Sequence, residues 1–194
     1  MKIITLILLT LTISLTACDP NDDIATPTNI FTVSGTDYET ANCYIEFDED
    51  NQSEFNLFFL DGRMIDNQTY PNGVTDDYLF SLNTSNFVFY NIVGFAFPQQ
   101  GQTYTGGASD STIGHGANIL DLGFTSNNIN FGQGQDGFGT WHLPGPVGPF
   151  ITINSYSFDN NTLVGSIDVD YEFTDENGIT IAGHYDGNLG VFLD

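Results

Sequence analysis

The sequence predicts an all-β domain, an antiparallel two-sheet β-sandwich with a flattened calycin-like barrel as the alternative, and three observations lead there. Apolar residues alternate with polar ones over run after run, the period-2 pattern of half-buried strands, and no stretch carries a convincing helical period. Aromatic usage is heavy, with Phe 17 and Tyr 9, and aromatic side chains suit pleated surfaces. Clusters of Asp, Asn and Gly punctuate the runs where turns belong. Roughly ten strands in one domain fit a sandwich or a barrel, so closure of the first strand on the last is the feature that separates them.

Taken in order, residues 30–34 open the domain. A strand over 42–47 follows with Cys43, Ile45 and Phe47 inward, and the polar turn 48–52 returns the chain through 54–60 as a hairpin. Met64-Ile65 begins a short edge strand, and the turn formers from Tyr70 to Asp77 make a loop. Runs at 78–82 and 87–97 flank Asn83-Thr84-Ser85-Asn86, a second hairpin signal, before Pro98 to Gly101 breaks the pattern. Then come a short strand and turn over 102–107, a Gly-rich loop over 109–116, and a hairpin of 119–125 with 129–131. Between Gly132 and Gly148 the chain concentrates Gly and Pro around aromatic residues, and a loop of that length in a compact domain is often functional.

The C-terminal third has the clearest alternation. Leu163, Gly165, Ile167, Val169, Tyr171 and Phe173 fall on one face, while Val164, Ser166, Asp168, Asp170, Glu172 and Thr174 fall on the other. The strand before it covers 150–158, turning at Asp159-Asn160-Asn161. After it, Gly178 supplies the positive φ of a turn into 179–185, and Asp186-Gly187 turns again into 189–193. These segments read as an antiparallel meander.

Charge is lopsided, with Asp+Glu 25 against Lys+Arg 2. That excludes nucleic acid, whose binding depends on neutralising phosphates with Lys and Arg. It also disfavours anionic lipid headgroups and fits neutral ligands, divalent cations or simple adaptation to salty water. Of the two cysteines, Cys43 has the inward register of an inert thiol.

The other cysteine ends a leader. Lys2 supplies a positive start, residues 3–15 an apolar run interrupted only by Thr and Ser, and Thr16-Ala17 the small residues before a cut. A transmembrane helix needs ~20 apolar residues, and Asp19-Pro20-Asn21-Asp22-Asp23 ends this run sooner. Leu15, Thr16, Ala17 and Cys18 resemble the bacterial lipobox. The resemblance implies cleavage after Ala17, a thioether-linked diacylglyceryl group on Cys18 and further acylation of the palmitate type. Two or more chains, at ~0.8 kcal/mol per buried methylene, hold a protein stably on a membrane. The chain therefore divides into a signal peptide over 1–17, a lipidated cysteine with acidic tether over 18–29, and one all-β domain over 30–194. Asp19, Asp22 and Asp23 directly after the cysteine resemble the export signals of Bacteroidetes-type surface lipoproteins, which implies the cell-surface side of the outer membrane, whereas in enteric-type bacteria Asp19 would instead imply retention at the inner membrane. The segment from Ile151 to Phe192, with its Ile-Thr-Ile-Asn start, glycine-centred strand and acidic turn ending in Gly178, is similar to small uncharacterised lipoproteins of that group. This likeness covers the last quarter of the chain and the leader. It implies export and all-β structure and carries no catalytic residue.

The residues themselves supply no catalytic signature, so the expected role is structural or binding and no cofactor is implied. Asp168 and Glu172 would need one raised pKa in an apolar cleft to serve as acid and base, and alternation puts both in water. His115, His142 and His184 lack the short spacing of a zinc site. Asp48, Asp50 and Glu54 echo a calcium loop, the weak case for Ca²⁺, but Ser53 stands near the place of its sharp-turn glycine and a plain hairpin turn accounts for them. Phe138, Trp141 and His142, in the long glycine-rich loop, could form a platform for a neutral glycan or other envelope component, or cap the core. A closed barrel would instead offer an internal pocket for a small ligand.

Overall fold

The computed structural model describes residues 29–47, 53–69, 75–105, 113–123, 150–159, 161–162, 164–175 and 178–193. Among them there is no helix, and the protein is all-β. The described residues form twelve strands: β1 (Ile30–Val33), β2 (Thr36–Glu39), β3 (Asn42–Phe47), β4 (Glu54–Leu60), β5 (Met64–Thr69), β6 (Thr75–Phe80), β7 (Phe87–Val93), β8 (Thr103–Thr105), β9 (Ile113–Gly116), β10 (Phe150–Asp159), β11 (Val164–Thr174) and β12 (Thr180–Leu193). Eight follow the order β8-β10-β11-β12-β3-β4-β7-β9, with β1 and β2 added alongside β12, and this sheet curls into a half-barrel. Strands β5 and β6 form a separate two-stranded sheet.

The centre of the large sheet is β12. One edge pairs with β11 without interruption from Val164↔Gly190 to Thr174↔Thr180. The other edge is shared: its first half pairs antiparallel with β1, and its last residues pair with β3 in parallel. The antiparallel meander expected here is thus corrected in two respects, because the β12–β3 ladder is parallel and Asp186-Gly187 makes no turn. A two-residue Asp-Gly turn needs positive φ, and among the described residues neither has it. The continuous β11 ladder keeps both extended instead. Asn29 sits in the fork where β1 and β3 diverge. Its side-chain oxygen accepts the Asp186 N–H at 2.9 Å, and its carbonyl accepts the Thr40 N–H at 2.8 Å. Although β1 pairs with β12, this does not close a barrel, since β12 is central and no ladder among the described residues joins the end strands β8 and β9.

The concave face holds the main core. Cys43, Ile45 and Phe47 point inward as their alternation requires, as do Ile167, Val169, Tyr171 and Phe173. The two limbs of the curl meet through rings. Phe59 on β4 stacks on Tyr171 of β11 at 4.9 Å, and Tyr90 on β7 meets Tyr171 and Phe173 edge-on at 5.7 and 5.8 Å. Burial pushes the Cys43 thiol and the Tyr90 and Tyr171 hydroxyls well above their usual pKa ranges. Bulky rings fit beside one another because glycines face them across the ladders. Tyr171 lies over Gly183, Tyr44 over Gly190 and Phe87 over Gly116, each ring opposite its own register partner. This pairing of aromatic residue and strand glycine restores surface that glycine alone would leave unpacked.

A second core lies on the outer side of β4 and β7. Phe58, Leu60, Phe87 and Phe89 turn away from the concave face and are covered by Met64 and Phe80 of the β5–β6 sheet and by Ile119. The expected hairpin across Asn83 to Asn86 is accordingly absent: β6 pairs with β5 and β7 pairs with β4. Strands that are apolar on both faces need cover on both. The connecting turn is tied to the one after β4, where the Asp61 carboxylate accepts the Ser85 N–H at 2.9 Å and Gly62 leaves room for the buried Thr84 side chain. Burial raises the Asp61 pKa from its ordinary value, with backbone hydrogen bonds opposing.

Three local expectations also change. Strand β2 falls in a stretch to which the sequence pattern assigns no strand, and Ser34 and Gly35, at φ 51° and 81°, form a two-residue hairpin turn that folds it onto β1. His115 lies on β9 rather than in a glycine-rich loop. Residues 117–123 turn instead of forming a strand, with the Asp121 N–H donating to the Asn118 carbonyl at 3.1 Å and Asn118 in the left-handed region. Ile119 is apolar because it plugs the second core, with none of its surface exposed.

Candidate functional site

The outer surface of β10, β11 and β12 carries the most developed polar network among the described residues. Alternation along β11 sends Asp168 and Asp170 to this side, and the register places Asp170 opposite His184 and Asp168 opposite Asp186. Like charges opposed across a ladder repel, so the arrangement needs donors. A bulge between Ile153 and Ser155 turns Asn154 toward β11, where its amide donates to Asp168 Oδ1 at 2.9 Å and to Asp170 Oδ2 at 2.7 Å. His184 Nδ1 stands 2.8 Å from Asp170 Oδ1 and 3.9 Å from Asp168 Oδ1. An ionised carboxylate only accepts, so Nδ1 carries the proton and, in neutral His184, Nε2 keeps the lone pair. The Asn154 hydrogen bond first, and then His184, hold the Asp170 carboxyl below its ordinary pKa.

That lowered pKa has a definite sign. A carboxyl depressed in the folded state adds stability above its ordinary pKa, and the contribution disappears as pH falls through the folded value. Because the site is largely exposed, the stability effect is small. Asn154→Ala is expected to move the Asp170 titration upward while changing neutral-pH stability by less than about 0.5 kcal/mol. Carboxyl carbon NMR across the acid range measures it, and an unmoved Asp170 curve refutes the assignment.

Two further polar arrangements lie elsewhere. His115 points inward from β9 against Phe31 and Phe173, with its Nε2 3.9 Å from Asp175 Oδ2. Asp175 is itself fixed, since its Oδ1 accepts the Ile179 N–H at 2.7 Å. On the outer side of β3, β4 and β7, Asn91 donates to Asn56 at 2.8 Å and Asn56 donates to the buried Glu46 at 2.7 Å, one row across three strands.

A rim of aromatic side chains forms at one end of the half-barrel. Phe47, at the end of β3, packs 5.1 Å from Phe97 and 6.3 Å from Phe158, while Phe95 meets Tyr104 edge-on at 4.8 Å. The segment after β7 that carries Phe95 and Phe97 is pinned from inside. The Tyr104 hydroxyl accepts the Gln99 N–H at 2.8 Å and donates to the Phe97 carbonyl at 3.5 Å. A second tie comes from the Gly101 N–H, which donates to the Ile153 carbonyl at 2.6 Å.

Of the residues singled out from the sequence, Cys18, Ala17, Asp48, Asp50, Phe138, Trp141 and His142 lie outside the described residues. Glu54 starts β4 opposite Val93. His115 and His184 belong to the separate arrangements above. Asp168 and Asp170 are brought together with His184, and Asn154, which sequence reading passed over, is what joins them. Its only advance signal was the next residue, Ser155, polar where the alternation of Ile151 and Ile153 calls for an apolar side chain. Among the described residues, no group of three or more His, Cys, Asp and Glu side chains is arranged to hold a metal ion. No protein-family model, curated protein or solved structure matches the chain.

Proposed function

We propose that the protein is an exported lipoprotein, anchored through acyl chains on Cys18, whose all-β domain has a non-catalytic binding or structural role on the outer-membrane surface. The carrying observation is the run Leu15-Thr16-Ala17-Cys18 behind a positive and then apolar leader. Two features support a surface role with neutral partners. Acidic residues follow Cys18 at once, and Arg63 is the one strong cation left after the leader is removed, against Asp+Glu 25. Residues 19–28 reach at most ~35 Å when extended, so the domain stays near its membrane.

Cys18→Ala tests the anchor. The variant is expected to take up no labelled fatty acid, to accumulate as precursor and to leave the detergent-extractable membrane fraction. Fatty-acid incorporation equal to that of the parent protein overturns the reading.

A further inference from the structure

The aromatic rim at the end of the half-barrel has no partner inside the described fold that accounts for its exposure. Phe97 is 57% exposed and Phe95 38%, although each sits against a well-buried ring, Phe47 and Tyr104 respectively. Leaving large rings in water is unfavourable, and a free loop would fold them inward. This segment is held in place at the Gln99 N–H, the Phe97 carbonyl and the Gly101 N–H, so the rings are presented rather than left over. Gln99 and Gln100 come just after Pro98 in the same segment and are exposed, so amide donors and acceptors lie close in sequence to the two rings.

We propose that this rim, centred on Phe97 and Phe95, is a binding site for a neutral carbohydrate chain. The proposal deepens the binding role proposed above and rests on it. A sugar ring offers an apolar C–H face to stack on an aromatic ring and hydroxyls to meet amides, the two chemistries that the exposed residues of segment 95–100 carry. Charge narrows the choice. Phe55 at the start of β4 meets Tyr104 of the rim at 5.8 Å, whereas Arg63 follows the opposite end of that strand, so among the described residues no Lys or Arg at the rim compensates an anionic glycan or an anionic lipid surface. A formal net charge of −23 on each copy likewise opposes pairing of two rims.

The test is affinity electrophoresis of the full lipidated chain in neutral detergent, through gels containing β-glucan, starch, dextran or galactomannan, with hyaluronate as the anionic control. Retardation by at least one neutral polymer and none by hyaluronate is expected. Phe97→Ala and Phe95→Ala should each weaken retention about tenfold, while Phe97→Trp keeps it. Because Phe97 is more than half exposed, its alanine variant should melt within a few degrees of the parent, which separates lost binding from lost fold. No retardation by any neutral polymer overturns the site while leaving fatty-acid labelling on Cys18 intact. Retention unchanged by both alanine variants but lost in Trp141→Ala moves binding to the long glycine-rich loop and overturns the rim. Concentration-dependent dimerisation abolished by Phe97→Ala assigns the rim to a second copy and overturns it as well.

Discussion

Phe59→Ala is expected to cost about 3–5 kcal/mol, the usual range for removing a buried ring from a core that cannot collapse around the gap. Phe59 has no exposed surface and belongs to β4, in the limb of the curled sheet that must reach across to β11. It does so through the stack on Tyr171, and it also touches Tyr185 of β12 at 5.8 Å. Alanine at this position therefore removes a ring joining three strands. The lining cannot easily close in, because Tyr171 is held on its other side by Tyr90. Denaturant unfolding should show the midpoint falling with little change in slope, and the melting temperature should drop by on the order of 10 °C. A loss below 1 kcal/mol would mean that the two limbs are held together elsewhere.

Gly183→Ala should be strongly damaging although it adds only one methyl group. Adding a methyl group to a strand glycine normally helps slightly, by limiting the unfolded chain. Here the new Cβ would fall inside the ring and hydroxyl of Tyr171. That ring is buried between Phe59 and Tyr90, so it cannot swing aside, and overpacking of this kind costs about 1–3 kcal/mol. The cause is identified by a double-mutant cycle. In a Tyr171→Ala background the same substitution at 183 should be neutral or mildly stabilising, giving a large coupling between the two positions. Additive losses would assign the effect to the backbone rather than to the ring.

The sequence carried the elements whose local pattern and tertiary environment agree. Strands β3 and β4 have the bounds that alternation and the polar run between them imply, and the buried face of β11 is the one that its period-2 pattern selects. The Gly178 turn also has the predicted positive φ. Reading failed where pairing partners are distant. Nothing local distinguishes an Asp-Gly that turns from one spanned by a continuous ladder, as at Asp186-Gly187. The second layer did leave a trace. Glu-Phe-Asn-Leu-Phe-Phe-Leu in β4 and Phe-Val-Phe-Tyr in β7 abandon alternation, and a strand apolar on successive residues is one buried on both sides. The polar network around Asp170 was only half legible. Alternation put the carboxylates in water, but which histidine and amide meet them depends on the register of three strands and on a bulge.

The position of β12 sets an order of events for the chain as it is made. The last of the described strands is the middle of the sheet, and among the described residues it alone joins the β10–β11 pair to the β3–β4 pair. Its fork contact, from Asn29 to Asp186, spans 157 positions of sequence. A nascent chain can form the β3–β4 and β10–β11 hairpins early, but these halves have no common partner until the last strand is available. Contacts so far apart in sequence make for slow closure, because the loop entropy is lost before the pairing rewards it. Until then the large sheet cannot be completed, a kinetic property that fits the export proposed above for this chain.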